Sequence, residues 1–288
     1  MGPKEHWYRE QVFAAGKVPV HAIFAAHDED VPLHDHAFVE IVAVLDGSAR
    51  HVTSAGEKEL RAGDVLVLRP GVWHGYSQAN KLRIFNVCFG AELLNRELAW
   101  TLEDPVVGQL LWGPRHGGGG ANHFNASAAV VKACAHGLGD VHAPEGWAVP
   151  IGRLLVFLGA LSQGANVTSA SVQVIPPLVA EVVRSLEADV PRAWRMDELA
   201  KIAGVNPSYL TRRFTAAMGL APMAYLTRCR AERAAALLLQ TTDDIARIAT
   251  IVGWPDPVYF SRRFRQHYGM APREYRKRFG QQTTALSA

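Results

Sequence analysis

The last third of the chain repeats itself, and this repeat limits the possible folds more than any other feature. Asn206-Pro207-Ser208-Tyr209-Leu210-Thr211-Arg212-Arg213-Phe214 returns as Asp256-Pro257-Val258-Tyr259-Phe260-Ser261-Arg262-Arg263-Phe264, 50 positions on. The register holds through Gly219 and Gly269, Ala221-Pro222 and Ala271-Pro272, and Tyr225 and Tyr275. One supersecondary unit has been used twice. In the first copy Leu199, Ala200, Ile202 and Ala203 space an apolar helical stripe that Gly204 ends. Asn206 is a favoured N-cap, Pro207 stands at the first helical position, and Gly219 suits a left-handed C-terminal cap. Ile245, Ile248, Ala249 and Val252, then Gly253, Asp256, Pro257 and Gly269 repeat the plan. Two short helices joined by a glycine-containing turn make a helix-turn-helix.

The faces of the second helices suggest their task. Leu210, Phe214 and Ala217 face a core in the first copy, and Phe260 and Phe264 do so in the second. Asn206, Ser208, Tyr209, Thr211, Arg212, Arg213 and Thr215 in one copy are therefore candidate DNA contacts. Val258, Tyr259, Ser261, Arg262, Arg263 and Arg265 are their counterparts in the other. Arginine pairs with both major-groove acceptors of guanine, Ser and Thr reach bases or backbone, and Val258 offers an apolar contact to a thymine methyl. A solvated helix face would also carry arginines, but two copies with the same capped arginine face favour DNA.

Charge agrees with that assignment. Residues 1–175 carry 13 Lys and Arg against 17 Asp and Glu, whereas 176–288 carry 17 against 10, so the net +3 of the chain sits with the repeats. With 288 residues, 49% of them hydrophobic, two domains with cores are expected. Met1 to Gln11 has no apolar signal region, and no run is long enough to span a membrane. Cys88, Cys134 and Cys229 are odd in number and lack metal-type spacing, so a reduced cytoplasmic setting is expected.

Toward the N-terminus short apolar runs alternate with turns. Val20–Phe24, Glu40–Leu45, Ala49–Thr53, Val65–Leu68 and Leu82–Phe89 are predicted strands, with turns at Asp46-Gly47, Ala55-Gly56 and Pro70-Gly71. Such spacing suggests a small sandwich or barrel. Within it lie His34, His36 and Glu40, which period-two alternation would place on one face of a single strand, and later His74. Three imidazoles and a carboxylate suit zinc, iron, manganese or nickel, so a divalent metal is the candidate cofactor. The same His34, His36, Glu40 and His74, with Arg50 and Trp73, are candidate effector-binding residues, and His21, Tyr76 and Asn86 are further candidates for the pocket wall.

The segment Pro176 to Phe279, above all Gly253-Trp254 and Tyr259 to Arg276, resembles the DNA-binding domain of the AraC/XylS family of bacterial transcription regulators. That resemblance implies two recognition helices in adjacent major-groove segments, held apart by a linker helix. Pro222 to Gln240 fits the linker: 19 residues span about 28 Å, compatible with readers one DNA turn, ~34 Å, apart. The spacing of His34, His36, Glu40, Gly47, Gly63-Asp64 and Pro70 to His74 resembles the two cupin motifs, whose metal ligands map onto His34, His36, Glu40 and His74. It departs from them at Arg69 and Gln78. The stretch from His34 to Gly47 looks most like sugar-responsive, rhamnose-type members of the family. Family members use such a barrel as an effector sensor, often without metal, and the resemblance further implies RNA polymerase and a second copy of the chain as partners.

The expected architecture is therefore α+β and multidomain. A cupin-like sensing β-barrel is expected over 1–100, a helical dimerisation region and linker over 101–175, and a double helix-turn-helix over 176–280. Within the middle region Ala91–Trp112, Ser127–Leu138 and Val149–Leu161 are predicted helical, Gly113–Gly120 is a glycine-rich loop lacking the end of a phosphate-binding motif, and Ser162–Pro177 is the predicted linker. The stripe Ile151, Leu154, Leu155, Leu158 and Leu161 serves packing against the barrel or a dimer interface. The expected function is DNA-binding transcription regulation, activation included, under a small-molecule effector, with no enzymatic role. The alternatives are a metal-dependent cupin dioxygenase or isomerase fused to a DNA-binding module, and an effector-independent regulator.

Overall fold

The computed structural model describes residues 5–7, 12–13, 19–36, 38–53, 56–112, 122–141, 146–164 and 175–279. They form two compact units, Met1–Ile175 and Pro176–Ala288. The loop at Gly113–Gly120, the turn residue Ala55 and most of the predicted linker lie outside the described residues.

Among the described residues the first unit is built on eight strands: β1 (Glu5–Trp7), β2 (Val20–His27), β3 (Val31–His36), β4 (Val39–Thr53), β5 (Gly56–Arg61), β6 (Asp64–Leu68), β7 (His74–Phe89) and β8 (Asn122–Asn125). The antiparallel pair β4 and β7 is its spine. One end of the spine carries β2 and β6, with β8 beyond β6; the other carries β3 and β5, with β1 parallel to β3. Two predictions change here. Glu40–Leu45 and Ala49–Thr53 are one continuous strand, because Asp46-Gly47 is a bulge inside β4 and not a hairpin turn. Register against β7 shifts between Val44 and Asp46, Asp46 and Ser48, and Ser48 and Arg50, and such bulges bend a strand and raise its twist. Gly47 has φ +73°, and a Cβ there would collide with the Lys81 carbonyl oxygen. On the facing strand Gln78 and Lys81 also take positive φ, so both partners of the spine are bent together.

The bend moves the interior face from even to odd residues. Val42 and Val44 before it, and Ala49 after it, share one core with Leu66, Leu68, Tyr76, Leu82 and Ile84. Residues 101–175, expected to be helical, also supply strand β8 through its pairing with β6. Ala91–Trp112 is not one helix. Two 3-10 turns (Ala91–Asn95, Ala99–Leu102) precede α1 (Pro105–Trp112), because Pro105 has no N–H and cannot continue a helix from before it. Asp104 Oδ1 accepts from the Val106 and Val107 amides at 2.9 and 2.7 Å and caps the new helix. Helices α2 (Ala128–Leu138) and α3 (Ala148–Gly164) follow. Leu154, Leu158 and Leu161 of α3 are buried, while Ile151 and Leu155 are half-buried.

The second unit holds α4 (Pro177–Ala188), α5 (Met196–Ile202), α6 (Pro207–Met218), α7 (Pro222–Gln240), α8 (Ile245–Ile251), α9 (Pro257–Tyr268) and α10 (Pro272–Phe279). The repeat is visible in its core. Phe214 meets Tyr225 edge-on at 5.6 Å, and the corresponding Phe264 meets Tyr275 at 5.3 Å. The long helix α7 is pinned by buried Arg230, which donates to the carbonyls of Val190, Pro191 and Arg192.

Candidate functional site

Two sites stand out, one in each unit. In the second, Asn206 Oδ1 accepts from the Tyr209 amide at 2.9 Å, and Asp256 Oδ1 accepts from the Val258 and Tyr259 amides at 2.8 and 3.2 Å. Gly219 and Gly269 end both helices at φ +71° and +74°. The caps fix where α6 and α9 begin, and with them the faces they present. Ser208, Tyr209, Arg212, Arg213 and Thr215 are exposed on α6, as are Val258, Tyr259, Arg262 and Arg265 on α9. Val258 is 79% exposed, an unfavourable setting for an isopropyl group unless a partner covers it.

The copies are not equivalent. Arg213 is exposed, whereas Arg263 is half-buried and donates to Thr227 Oγ1 of α7 at 3.2 Å and to Gln266 Oε1 at 3.0 Å. The expected DNA role of Arg263 therefore competes with a packing role. Ser261 is half-buried, and the Thr211 hydroxyl donates to the Pro207 carbonyl at 2.9 Å, which leaves its oxygen as an acceptor. Arg262 lies over the Tyr259 ring at 5.3 Å, so the ring steadies the guanidinium.

In the first unit the histidines converge, by a different route from the one expected. His34 and His36 end β3, but Glu40 belongs to β4, so the three do not share one strand. His34 pairs in register with His74 of β7, and Glu40 with Cys88 of β7 and Leu68 of β6. All four side chains are buried. Glu40 Oε2 lies 3.2 Å from His36 Nε2 and 3.3 Å from His74 Nε2. His34, Glu40 and His74 each place one donor atom within 4.8 Å of the other two. His36 belongs to the cluster through Glu40.

The ring orientations are informative. His34 Nδ1 lies 2.9 Å from the Pro32 carbonyl, His36 Nδ1 2.8 Å from that of Phe38, and His74 Nδ1 3.2 Å from that of Val72. A carbonyl only accepts, so each Nδ1 carries a proton and each ring turns its Nε2 inward. Metal-binding histidines use this outer hydrogen bond to fix their orientation. At 3.2 and 3.3 Å from a carboxylate oxygen, the Nε2 atoms of His36 and His74 require a proton or a cation among them. Among the described residues, both His36 Nε2 and Glu40 Oε2 are buried without a hydrogen-bond partner. The residues present thus fit a divalent metal in donor type, ring orientation and orphaned atoms.

Electrostatics add to this. Burial would push the Glu40 carboxyl up, but the nearby His36 and His74 outweigh it and hold the group well below its usual range. Burial first, and then His74, lowers the His34 imidazole to about 3. Arg50 does not join the site. It is exposed on the outer face of β4 and pairs with Glu57 at 3.4 Å. Trp73, half-buried, flanks His74 in sequence. The residue missed from sequence is His51, one position beyond Arg50, buried to 1% exposure with its ring 5.7 Å from His74. His123 of β8 lies 5.5 Å further on. The bulge at Gly47 caused the miss, because it exchanges the inward and outward positions of β4.

Residues 18–126 match the AraC-like ligand binding domain, and residues 199–278 match a helix-turn-helix domain. The chain belongs to the AraC family. It is 27% identical over 234 residues to the HTH-type transcriptional activator RhaS of Klebsiella pneumoniae, covering 78% of this chain and 80% of that protein. An AraC-like protein of Streptomyces lividans is 41% identical over 78 residues, a match that spans 27% of this chain and only 26% of that protein. Among solved structures, ToxT of Vibrio cholerae superposes with a TM-score of 0.53 at 14% identity, covering 91% of this chain and 99% of that one. An AraC-family chain of this plan joins a ligand-binding sheet domain to a helix-turn-helix domain. Among the described residues no helix is long and apolar enough to cross a membrane.

Proposed function

We propose that this AraC-family chain is a cytoplasmic, effector-controlled transcription regulator that reads double-stranded DNA through α6 and α9. The observation that carries the reading is the doubled arginine: Arg212 and Arg262 recur 50 residues apart, both exposed, on helices with the same caps and the same aromatic anchor. The relative RhaS is a transcriptional activator, which supports activation and RNA polymerase as a partner. A homodimer is supported by Val149 and Val156 of α3, which are 56% and 69% exposed. Effector binding in the barrel shifts the population of DNA-competent dimers. The barrel serves as a sensor rather than as an enzyme, since a sensor accounts for its attachment to a DNA reader.

The barrel ligand is the second part of the proposal. His34, Glu40 and His74 hold a divalent transition metal, with His36 positioning Glu40. An ion there would supply a coordination position for an effector atom. His36 Nε2 lies 3.2 Å from the carboxylate, and the backbone carbonyls of Pro32 and Val72 fix the rings of His34 and His74.

The DNA reading is tested on an operator selected from a random library. Arg212→Ala or Arg262→Ala is expected to weaken binding to it by about 1–3 kcal/mol, with little change on random DNA. Equal loss on both would make these phosphate contacts, and no loss would remove the assignment.

A further inference from the structure

His51 lies in the barrel interior but outside the proposed ligand set. It is 1% exposed, and among the described residues neither of its ring nitrogens has a hydrogen-bond partner. Its ring is 5.7 Å from that of His74, 5.8 Å from that of buried Tyr76 and 5.5 Å from that of His123. A buried imidazole with both nitrogens unsatisfied is costly, and an apolar side chain would fill the same space without that cost. His34, His36 and His74 have their Nδ1 protons committed to backbone carbonyls. His51 has no such anchor, so its nitrogens remain available to a molecule that enters the barrel. An imidazole can donate from an N–H at one ring nitrogen and accept at the other.

Donors to a single ion at ~2.1 Å lie within about 4.2 Å of one another. His34, Glu40 and His74 are gathered nearly that closely, and His51 is not part of the group. Its position is one step further out, where a side chain hydrogen-bonds an atom already bound to the ion and so orients it.

We propose that His51 is an effector-contacting residue, which hydrogen-bonds an oxygen of a small molecule that chelates, through oxygen, the metal held by His34, Glu40 and His74. The effector class is accordingly a small oxygen-donor chelator. This rests on the metal reading of the triad given above.

The test uses the full-length chain, stripped of metal and titrated with Co²⁺, whose visible spectrum reports its ligands. Acetohydroxamate, a two-oxygen chelator, is the probe. Wild type, His51→Leu and His51→Gln are expected to bind one Co²⁺ with closely similar affinity, and Glu40→Gln to lose it. Acetohydroxamate is expected to change the cobalt spectrum of the wild type, with its dissociation constant raised at least ~10-fold in His51→Leu and partly restored in His51→Gln, which keeps a donor and an acceptor. Should His51→Leu fail to fold, judged by circular dichroism, His51→Asn replaces it, because its shorter amide cannot reach the same oxygen. Unchanged probe affinity in the folded variant overturns the proposal, as does a wild-type cobalt complex indifferent to the probe. Wild type that binds no cobalt, or Glu40→Gln that retains it, removes the metal reading and this proposal with it.

Discussion

Individual side chains in the barrel are held in states that water would not favour, and this has a consequence for stability. The His34 and His51 rings, buried first of all and then opposed by neighbouring histidines, remain neutral in the fold down to about 3 and about 2. In an unfolded chain each takes up a proton near 6.5. Below that pH the unfolded chain binds protons that the fold refuses, so stability falls as pH falls. Glu40 acts in the same direction. Its carboxyl is held well below its ordinary 4.5, so its contribution is present above that value and is lost as pH drops toward its folded value. Urea denaturation of the metal-free chain is expected to show up to ~1.4 kcal/mol of lost stability per pH unit per histidine below 6.5, with a shallower slope in His34→Gln/His51→Gln. A midpoint unchanged between pH 7.5 and 5 would contradict it. The sequence showed His34, His36, Glu40 and His74 because their residue types and order are chemically informative without coordinates. It did not show His51, since the phase of β4 depends on a bulge whose cause, the close Lys81 carbonyl, lies on another strand.

At the level of elements, the helix ends were legible and the breaks were less so. Asn206, Asp256, Gly219 and Gly269 act at short range, on amides one turn away or through their own φ, and each does in the fold what its residue type predicts. Pro105 was equally visible in the sequence, but the apolar stripe Leu93, Leu94, Leu98 and Leu102 concealed its effect. All four leucines are buried although the backbone there is 3-10 helix and turn. Periodicity reports a buried face, not a continuous helix. The difference between Arg213 and Arg263 was hidden because Thr227, the partner of Arg263, lies on α7. Arg263→Ala is thus expected to lower the stability of the helical unit by about 1 kcal/mol, whereas Arg213→Ala leaves the melting temperature unchanged and weakens DNA binding. Thermal melts beside DNA titrations separate the two, and equal effects of both substitutions would contradict the distinction.

Across the whole molecule, charge and fold divide at the same place. Residues 1–175 hold the excess of acidic groups and the ligand-binding sheet, and 176–288 hold the excess of basic groups and the two helix-turn-helix units. Separate units let a small molecule govern DNA binding without touching DNA, since it needs only a different affinity for the DNA-competent and incompetent states. On the proposed reading each chain carries two DNA readers. Hydroxyl-radical footprinting of the full chain on its selected operator tests this most directly. Two protected major-groove segments per chain, about 10 base pairs apart, with Arg212→Ala and Arg262→Ala each clearing a different one, is the predicted result. A single protected segment, or the same segment lost in both variants, would contradict it.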